Sequence, residues 1–499
     1  MAPASPSGSA RSSIGAAQLD RALGEGWQRS SGPVYRSLAV GLRTLVLDGR
    51  VPVETRLPAE RELSAALGVS RTTVAAAYEL LRGEGFLASR RGAGSWTALP
   101  AGRAVPATGL SPRSGDAAGG DAIDLGVAAM CAPEPWLSQA MAAATAELPP
   151  YLATHGDFPA GLPVLREAIA ARYTQRGAPT SPDQIMVTSG AAGGLALVLR
   201  QLLGHGDRIA VESPSYANAL QAVRFAGGRA VPVPLTADGW DLDGWARTLR
   251  DAAPRLAYVI PDFHNPTGLL MGAGQRRELV ALARATGTVL VVDETMAELT
   301  LDLDESQLPP PMACFDRAGS VITLGSAGKT VWGGLRIGWI RASADLVRRI
   351  AAERSSLDVS SPVLEQLAAR HLFDPERFPA LLAQQRDRVR GQRDALVAAL
   401  REAVPDWTYR VPQGGLSLWV RLPEPLSGSA LATTAERFGV WIGSGPRFGL
   451  DGVLERFVRL PFSQRPEVAR EAVHRLAGAA AALREGAPGL LPADEFPLL

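Results

Sequence analysis

Lysine is all but absent from this 499-residue chain: of its 51 basic residues, only Lys329 is not arginine. Arginine serves as well as lysine, or better, in solvation, ion pairing and phosphate contact. It cannot form a Schiff base, because its guanidinium stays protonated, whereas an amine can deprotonate and attack an aldehyde. A chain so biased towards arginine that keeps one amine points to a site where only a primary amine works. Cysteine is nearly as scarce. With only Cys131 and Cys314, a disulfide scaffold and a cysteine-rich metal site are excluded, and a reducing cytoplasm is the expected setting. No stretch approaches the roughly 18 consecutive apolar residues of a membrane span. The Ala/Ser/Gly-rich N-terminus lacks the apolar core of a secretory signal. A net charge of +1 gives no global field for nucleic acid, while 46% hydrophobic and 20% charged residues mark a globular chain.

The length allows roughly two to four domains. Residues 1–32 are expected to be a flexible extension. Residues 33–97 form a compact patterned block with nine Arg against six acidic residues, a local charge of +3. Residues 98–121, rich in Ala, Gly, Pro and Ser, are a linker. Over 122–485, β-type runs such as Gln184–Thr188, Arg208–Glu212, Ala257–Ile260, Thr288–Asp293 and Val321–Leu324 alternate with amphipathic stretches. That alternation predicts an α/β domain with a mostly parallel sheet. Residues 486–499 are a loose tail.

In the N-terminal block, Pro33–Arg50 carries Tyr35, Leu38, Leu42, Leu45 and Val46 on one helical stripe. Pro58 opens a second helix, where a first turn tolerates proline. Gly68-Val69-Ser70 is a turn, with Ser70 placed to cap a third helix beginning at Arg71. Phe86–Thr97 reads as two short strands around a Gly-rich turn. Three helices and a basic hairpin make a winged helix-turn-helix, whose third helix enters the major groove. The run PAERELSAALGVSRTTVAAAYELLRGEGFLASRRGAG closely resembles the GntR family. The resemblance implies that Arg61, Arg71, Thr72, Thr73 and Gly92 touch double-stranded DNA. The chemistry agrees, since Arg bonds guanine bidentately, Thr hydroxyls bond phosphates and a glycine lets the wing backbone sit close.

Around the lone amine, residues 325–338 read GSAGKTVWGGLRIG after the apolar run Ser320–Leu324. Small residues allow the backbone to approach a ligand, and Arg336 offers a planar fork for a phosphate. The segment resembles the lysine motif of pyridoxal 5'-phosphate (PLP) proteins with the aspartate aminotransferase fold, fold type I. Ser326 matches the first Ser of that motif and Gly328 replaces the second. Other segments fit the family in order. Gly156-Asp157, Pro159-Ala160-Gly161 and Leu165-Arg166 resemble the part that contributes to a partner's site. Ser189-Gly190-Ala191-Ala192 opens a helix whose backbone N–H groups suit a phosphate.

The resemblance implies Lys329 as the Schiff-base residue, with Ala191, Ala192, Tyr216, Asn265, Asp293, Ser326 and Arg336 around the cofactor. Tyr216 would stack on the pyridine, Asn265 would donate to its phenolate oxygen, and Asp293 would keep the ring nitrogen protonated. Asp293 stands 28 residues after Asn265 and 36 before Lys329. Arg459, in Phe457-Val458-Arg459-Leu460-Pro461-Phe462, would take an effector carboxylate. Two positions depart from the pattern: Thr295 replaces the tyrosine that normally bonds the phenolate oxygen, and His155 replaces one that reaches a partner's phosphate. These departures leave cofactor binding in place and bear on full catalytic competence.

Together the halves resemble the MocR subfamily of regulators, with segments similar to its YczR branch. That resemblance implies a cytoplasmic homodimer on an operator, in a head-to-tail arrangement, with an amino acid or amine effector displacing Lys329. The alternative is a class I/II aminotransferase with an attached DNA-binding domain, and a third reading makes PLP itself the sensed ligand.

Overall fold

The computed structural model describes residues 13–24, 27, 33–90, 94–100, 122–450 and 452–485. The N-terminal module consists of α1 (Ala16–Leu23), α2 (Val34–Leu47), α3 (Glu60–Leu67) and α4 (Arg71–Gly83). Each boundary has a local cause. The Ser70 hydroxyl accepts from the Thr73 N–H at 3.1 Å and caps α4. Gly68, at φ +64°, ends α3 in the left-handed region that a side chain disfavours. The expected α2 stripe buries Leu38, Leu42, Leu45 and Val46 against Leu63, Val74, Tyr78 and Leu81. The wing follows as β1 (Leu87–Arg90) and β2 (Gly94–Thr97), antiparallel with Leu87 opposite Thr97.

One expectation is corrected here. Residues 13–24 do not belong to a flexible extension. The Ile14 N–H donates to the Arg56 carbonyl at 3.1 Å, and Leu19 on α1 is fully buried in the module's core. The Ala/Ser/Gly-rich composition hid a short amphipathic helix that pairs only through tertiary packing.

The rest of the chain is α/β, built around two sheets. A short strand, β3 (Ile123–Leu125), precedes the larger sheet. That sheet contains β4 (Ile185–Ser189), β5 (Arg208–Ser213), β6 (Arg229–Thr236), β7 (Gly239–Trp240), β8 (Leu256–Val259), β9 (Val289–Asp293), β10 (Val321–Ser326) and β11 (Ile337–Arg341). Its spatial order is β4-β11-β10-β9-β8-β5-β6-β7. Strands β10, β9, β8, β5 and β6 run parallel, and β11 is antiparallel to both neighbours. Parallel strands buried on both faces require near-continuous apolar runs, and β8 and β10 are such runs. The smaller sheet holds β12 (Thr408–Tyr409), β13 (Ser417–Arg421), β14 (Val440–Ser444) and β15 (Phe457–Pro461), ordered β12-β13-β15-β14-β3.

The 26-residue helix Phe378–Ala403 joins the two parts. Phe378, Leu381 and Leu382 at its start lie in the core of the larger sheet, whereas Val389, Leu396, Val397 and Leu400 lie in that of the smaller one. At 1.5 Å per residue it is roughly 39 Å long. Strands β4, β5, β9 and β10 all end on one edge, at Ser189, Ser213, Asp293 and Ser326, the carboxyl edge where ligands of open α/β sheets bind.

That edge is held at close range by Gly338 in β11. A Cβ there would lie 2.4 Å from the Gly190 carbonyl carbon and 2.6 Å from the Ala191 nitrogen. Gly338→Ala is therefore expected to cost about 1–3 kcal/mol through overpacking against backbone. Chemical denaturation measures the loss, and an unchanged midpoint would show that the helix start can retreat freely.

Candidate ligand-binding site

Lys329 lies just past β10 in a wide helical turn, Gly328–Trp332, of the kind often found at functional sites. Ser326 shapes its approach: its hydroxyl accepts from the Gly328 N–H at 2.9 Å and donates to the Ile337 carbonyl at 3.3 Å. The Lys329 Nζ donates to the Ala128 carbonyl at 2.5 Å. Burial, then repulsion from Arg459 and Arg336, outweigh the attraction of Asp293 and lower the amine's pKa to about 8. An appreciable neutral fraction near neutral pH is what a nucleophilic amine needs.

Asp293 at the end of β9 is buried, and both of its oxygens are engaged. Oδ1 accepts from the Thr295 N–H at 2.9 Å and Oδ2 from the Tyr258 hydroxyl at 2.6 Å. Burial and the neighbouring Asp293 charge raise the Tyr258 pKa well above 10, so this hydroxyl remains a donor. Arg459 on β15 is buried, which lowers its pKa to about 10. Its Nη1 donates to Asn265 Oδ1 at 3.4 Å, its Nη2 donates to the Gly126 carbonyl, and its guanidinium lies 5.0 Å from the Phe448 ring centroid. The Arg459 Nε is buried with no protein partner among the described residues. Asn265, whose Oδ1 faces Arg459, keeps its amide N–H groups for another acceptor. Tyr216 immediately precedes the helix Ala217–Phe225, and its pKa is raised first by burial and next by Asp293.

Arg336, held at φ +53°, donates from Nη2 to the Ser189 carbonyl at 3.1 Å. A Cβ on Gly190 would lie 3.1 Å from the same Nη2, so the guanidinium rests on the first turn of the helix Gly190–Leu202, where Ala191 and Ala192 lie. A helix N-terminus with an arginine fork beside it suits a phosphate.

The structure thus gathers Lys329, Asp293, Tyr216, Asn265, Arg336 and Arg459 around one edge of the sheet. Ser326 lies at the same edge, its hydroxyl bonded within the turn. The Thr295 side chain borders a small cavity with Arg172, Tyr173, Arg176, Glu294 and Glu298. The segment 159–161 is tied to the sheet, with Arg354 Nη1 donating to the Pro159 carbonyl at 2.8 Å and the Val187 N–H to the Ala160 carbonyl at 2.9 Å. In the winged helix, Arg61, Arg71 and Thr72 are exposed and Thr73 is half-buried. Arg71 makes a 3.3 Å ion pair with Glu60, and Ser70 Oγ bonds the Thr72 and Thr73 hydroxyls at 2.8 Å. Gly92 lies outside the described residues. Sequence reasoning missed Tyr258, Phe448 and the Gly126 and Ala128 carbonyls. A tyrosine inside the apolar run Ala257–Ile260 was the one available signal, since a buried phenol needs a partner.

A mostly parallel sheet with a lysine, a carboxylate and two arginines at its carboxyl edge, joined to a winged helix, defines a regulator-like fusion built on an aminotransferase scaffold. The chain belongs to the class I and II aminotransferase family over residues 122–476, and residues 34–96 match the gntR family of bacterial regulatory proteins. It is 28% identical to the probable rhizopine catabolism regulatory protein MocR of Rhizobium meliloti, over 93% of this chain and 96% of that one. It is likewise 28% identical to the uncharacterized HTH-type transcriptional regulator YisV of Bacillus subtilis, over 88% and 94% of the two chains. Among solved structures it resembles the α-aminoadipate aminotransferase of Thermus thermophilus complexed with N-(5'-phosphopyridoxyl)-L-leucine. That likeness has a TM-score of 0.67 and 29% identity, and covers 75% of this chain and 96% of that one. The layout of the chain is that of MocR-type regulators.

The lowered lysine pKa has a consequence for stability. Lys329 titrates at about 8 when folded and near 10.5 when unfolded, so between these values the unfolded chain binds more protons. Stability of the cofactor-free protein should therefore rise from about pH 8 to 10.5, by up to about 3 kcal/mol. Below pH 8 the full penalty of holding the charged amine applies. Denaturation of wild type and Lys329→Met across that window tests this, and an equal slope in the variant would refute it.

Proposed function

We propose that this chain is a DNA-binding transcriptional regulator that holds PLP on Lys329 and responds to an amino acid or amine. The observation that carries the reading is a single half-buried amine of lowered pKa between Asp293 and Arg459, in a chain that also carries an exposed winged-helix reading face. The donor set fits the cofactor. Arg336 and the first turn at Gly190–Ala192 would hold the phosphate, Tyr216 would cover the ring, and Asn265 would donate to its phenolate oxygen. Asp293, fixed by Tyr258 and the Thr295 N–H, would keep a proton on the ring nitrogen. When bound, the cofactor supplies an aldehyde that a primary amine captures and a ring that withdraws electrons.

The chain's own residues do the rest. Arg459 grips a carboxylate with its fork, exchanging the Gly126 carbonyl for the ligand. Lys329 leaves the Ala128 carbonyl and gives up or takes a proton at Nζ. Two chains would present two winged helices to two half-sites, in the cytoplasm where DNA is at hand. The effector must bind two conformations of the protein unequally to change DNA affinity or geometry.

The purified protein should absorb in the near-visible, and borohydride should bleach that band and leave the cofactor covalently on Lys329 in peptide mass analysis. Lys329→Ala should lose the band and keep the fold. A variant that stays yellow and reducible overturns the lysine assignment, and wild-type protein that stays colourless with added PLP overturns the cofactor reading. On DNA, Arg71→Ala should weaken operator binding by about 1–3 kcal/mol if Arg71 reads a base. Binding that is unaffected across salt concentrations would remove Arg71 from the interface.

A further inference from the structure

A second cleft, of about 440 Å³, lies where the helix Phe378–Ala403 meets the proline run at 309–311 and the end of the helix Pro163–Gln175. None of Asn265, Asp293, Lys329, Arg336 and Arg459 lines it. Its volume falls within the range of small-molecule sites, roughly 300–1,000 Å³. One part of its lining is apolar: Phe378 and Leu382, one turn apart on the long helix, together with the three prolines. The remainder carries charge of both signs. Three arginines and three acids line the cleft, Arg172, Arg176 and Arg386 with Asp262, Glu298 and Glu305, so their formal charges cancel.

Those charges are only partly matched by one another. The Arg172 guanidinium packs on two aromatic rings, 4.3 Å from the Phe373 centroid and 3.9 Å from that of Phe378, and its Nη2 donates to the Glu298 carboxylate. Arg176 donates from Nη1 to Glu294 at 3.2 Å. Arg386 donates from Nε to the Glu298 carbonyl at 2.8 Å and from Nη1 to Glu305 at 2.8 Å. A guanidinium has five N–H donors, so each of the three keeps N–H groups for a further acceptor. Burial, and then the charge of Arg176, lower the Arg172 pKa to about 9, a repulsion that an anion beside the two would relieve. Glu305 is exposed at the mouth, whereas Asp262 is buried at the inner end. Asp262 Oδ1 accepts from Arg276 Nη2 at 2.8 Å, but Oδ2 is buried with no protein partner among the described residues. An oxygen in that position is an acceptor that costs free energy until a donor meets it.

We propose that this cleft is a second ligand site, separate from the one at Lys329, and that it takes a free amino acid with an apolar side chain. A lining that is neutral in sum but carries both signs disfavours a ligand of one sign. A dianion there meets Glu298 and Glu305, and a simple amine meets Arg172 and Arg176. A zwitterion satisfies both sets. Its carboxylate takes the unused N–H groups of Arg172 and Arg386, its ammonium donates towards Asp262, and its side chain lies along Phe378, Leu382 and the prolines. No aldehyde takes part, so the proposal does not rest on the cofactor reading. The cleft nevertheless adjoins the lysine turn. Glu298, which accepts from Arg172, also accepts from the Thr330 hydroxyl at 3.1 Å. A narrower cavity bordered by Ser326 and Thr330 shares Arg172, Arg176 and Glu298 with this cleft.

Calorimetry on the full-length protein tests this, after borohydride treatment so that no amine can exchange with Lys329 through a bound cofactor. L-phenylalanine is the probe, with hydrocinnamate and phenethylamine as its counterparts of one charge. L-phenylalanine should bind saturably, and each counterpart about ten-fold more weakly or worse. Absence of saturable L-phenylalanine binding overturns the proposal, and a counterpart that binds as tightly overturns the two-sign recognition. Binding should persist in Arg459→Gln, and its loss there would place the probe at the Arg459 site instead. In that background, Arg386→Gln should weaken the probe about ten-fold, as should Leu308→Trp, which fills the cleft and leaves its charges in place. A folded variant of either kind that binds as its parent overturns the cleft assignment. Hydrogen–deuterium exchange on wild type gives a measure free of variants. The bound probe should slow exchange in residues 297–301, and slowing confined to residues 126–128 overturns the proposal. The cofactor reading is decided separately, by the absorption band and its reduction on Lys329.

Discussion

The site depends on an imbalance of charge graded from the buried Arg459 through the half-buried Lys329 to the exposed Arg336. Lys329, Arg459 and Arg336 converge on an edge where Asp293 is the carboxylate that opposes them. Buried cations that repel one another are tolerated only when fixed dipoles or an anion offset them. Here the dipoles come from backbone carbonyls: Gly126 takes Arg459 and Ala128 takes Lys329. Both carbonyls belong to the stretch that follows β3, where the chain enters the aminotransferase-like part. Burial first, and then the positive field of Arg459 and Arg336, lowers the lysine pKa, and a field of that sign suits an anionic group.

How much of this could be read in the sequence follows from the range of the interactions. The winged helix was legible because its signals are local: a capping serine at 70, a glycine at 68, a stripe on α2. Lys329 and Arg336 were legible through composition and spacing, and Asp293 through its place at the end of an apolar strand. The α1 helix was not, since Leu19 is defined as core only by what α2 and α3 bring to it. Tyr258 was missed because its hydroxyl reaches Asp293 across neighbouring strands, a pairing that only sheet order fixes. The two backbone bonds by which the Ser326 hydroxyl shapes the turn before Lys329 had no sequence signal. Backbone carbonyls carry no sequence signature, so the roles of Gly126 and Ala128 were invisible.

The winged-helix module also contacts both sheets of the larger part directly. The module rests on the larger sheet through Gln18 and on the smaller through Asp48 and Leu454. The helix Phe378–Ala403 is embedded in both cores and ties the two sheets together.

The near-complete replacement of lysine by arginine has a further chemical effect. Reactive aldehydes condense with whatever unprotonated side-chain amines a protein offers, and most chains present many. This one presents a single ε-amine, partly buried and already poised to lose its proton. Loading therefore saturates at one adduct per side-chain amine per chain, with no surface lysines to scavenge aldehyde, and the signal from an occupied site is not diluted by occupancy elsewhere.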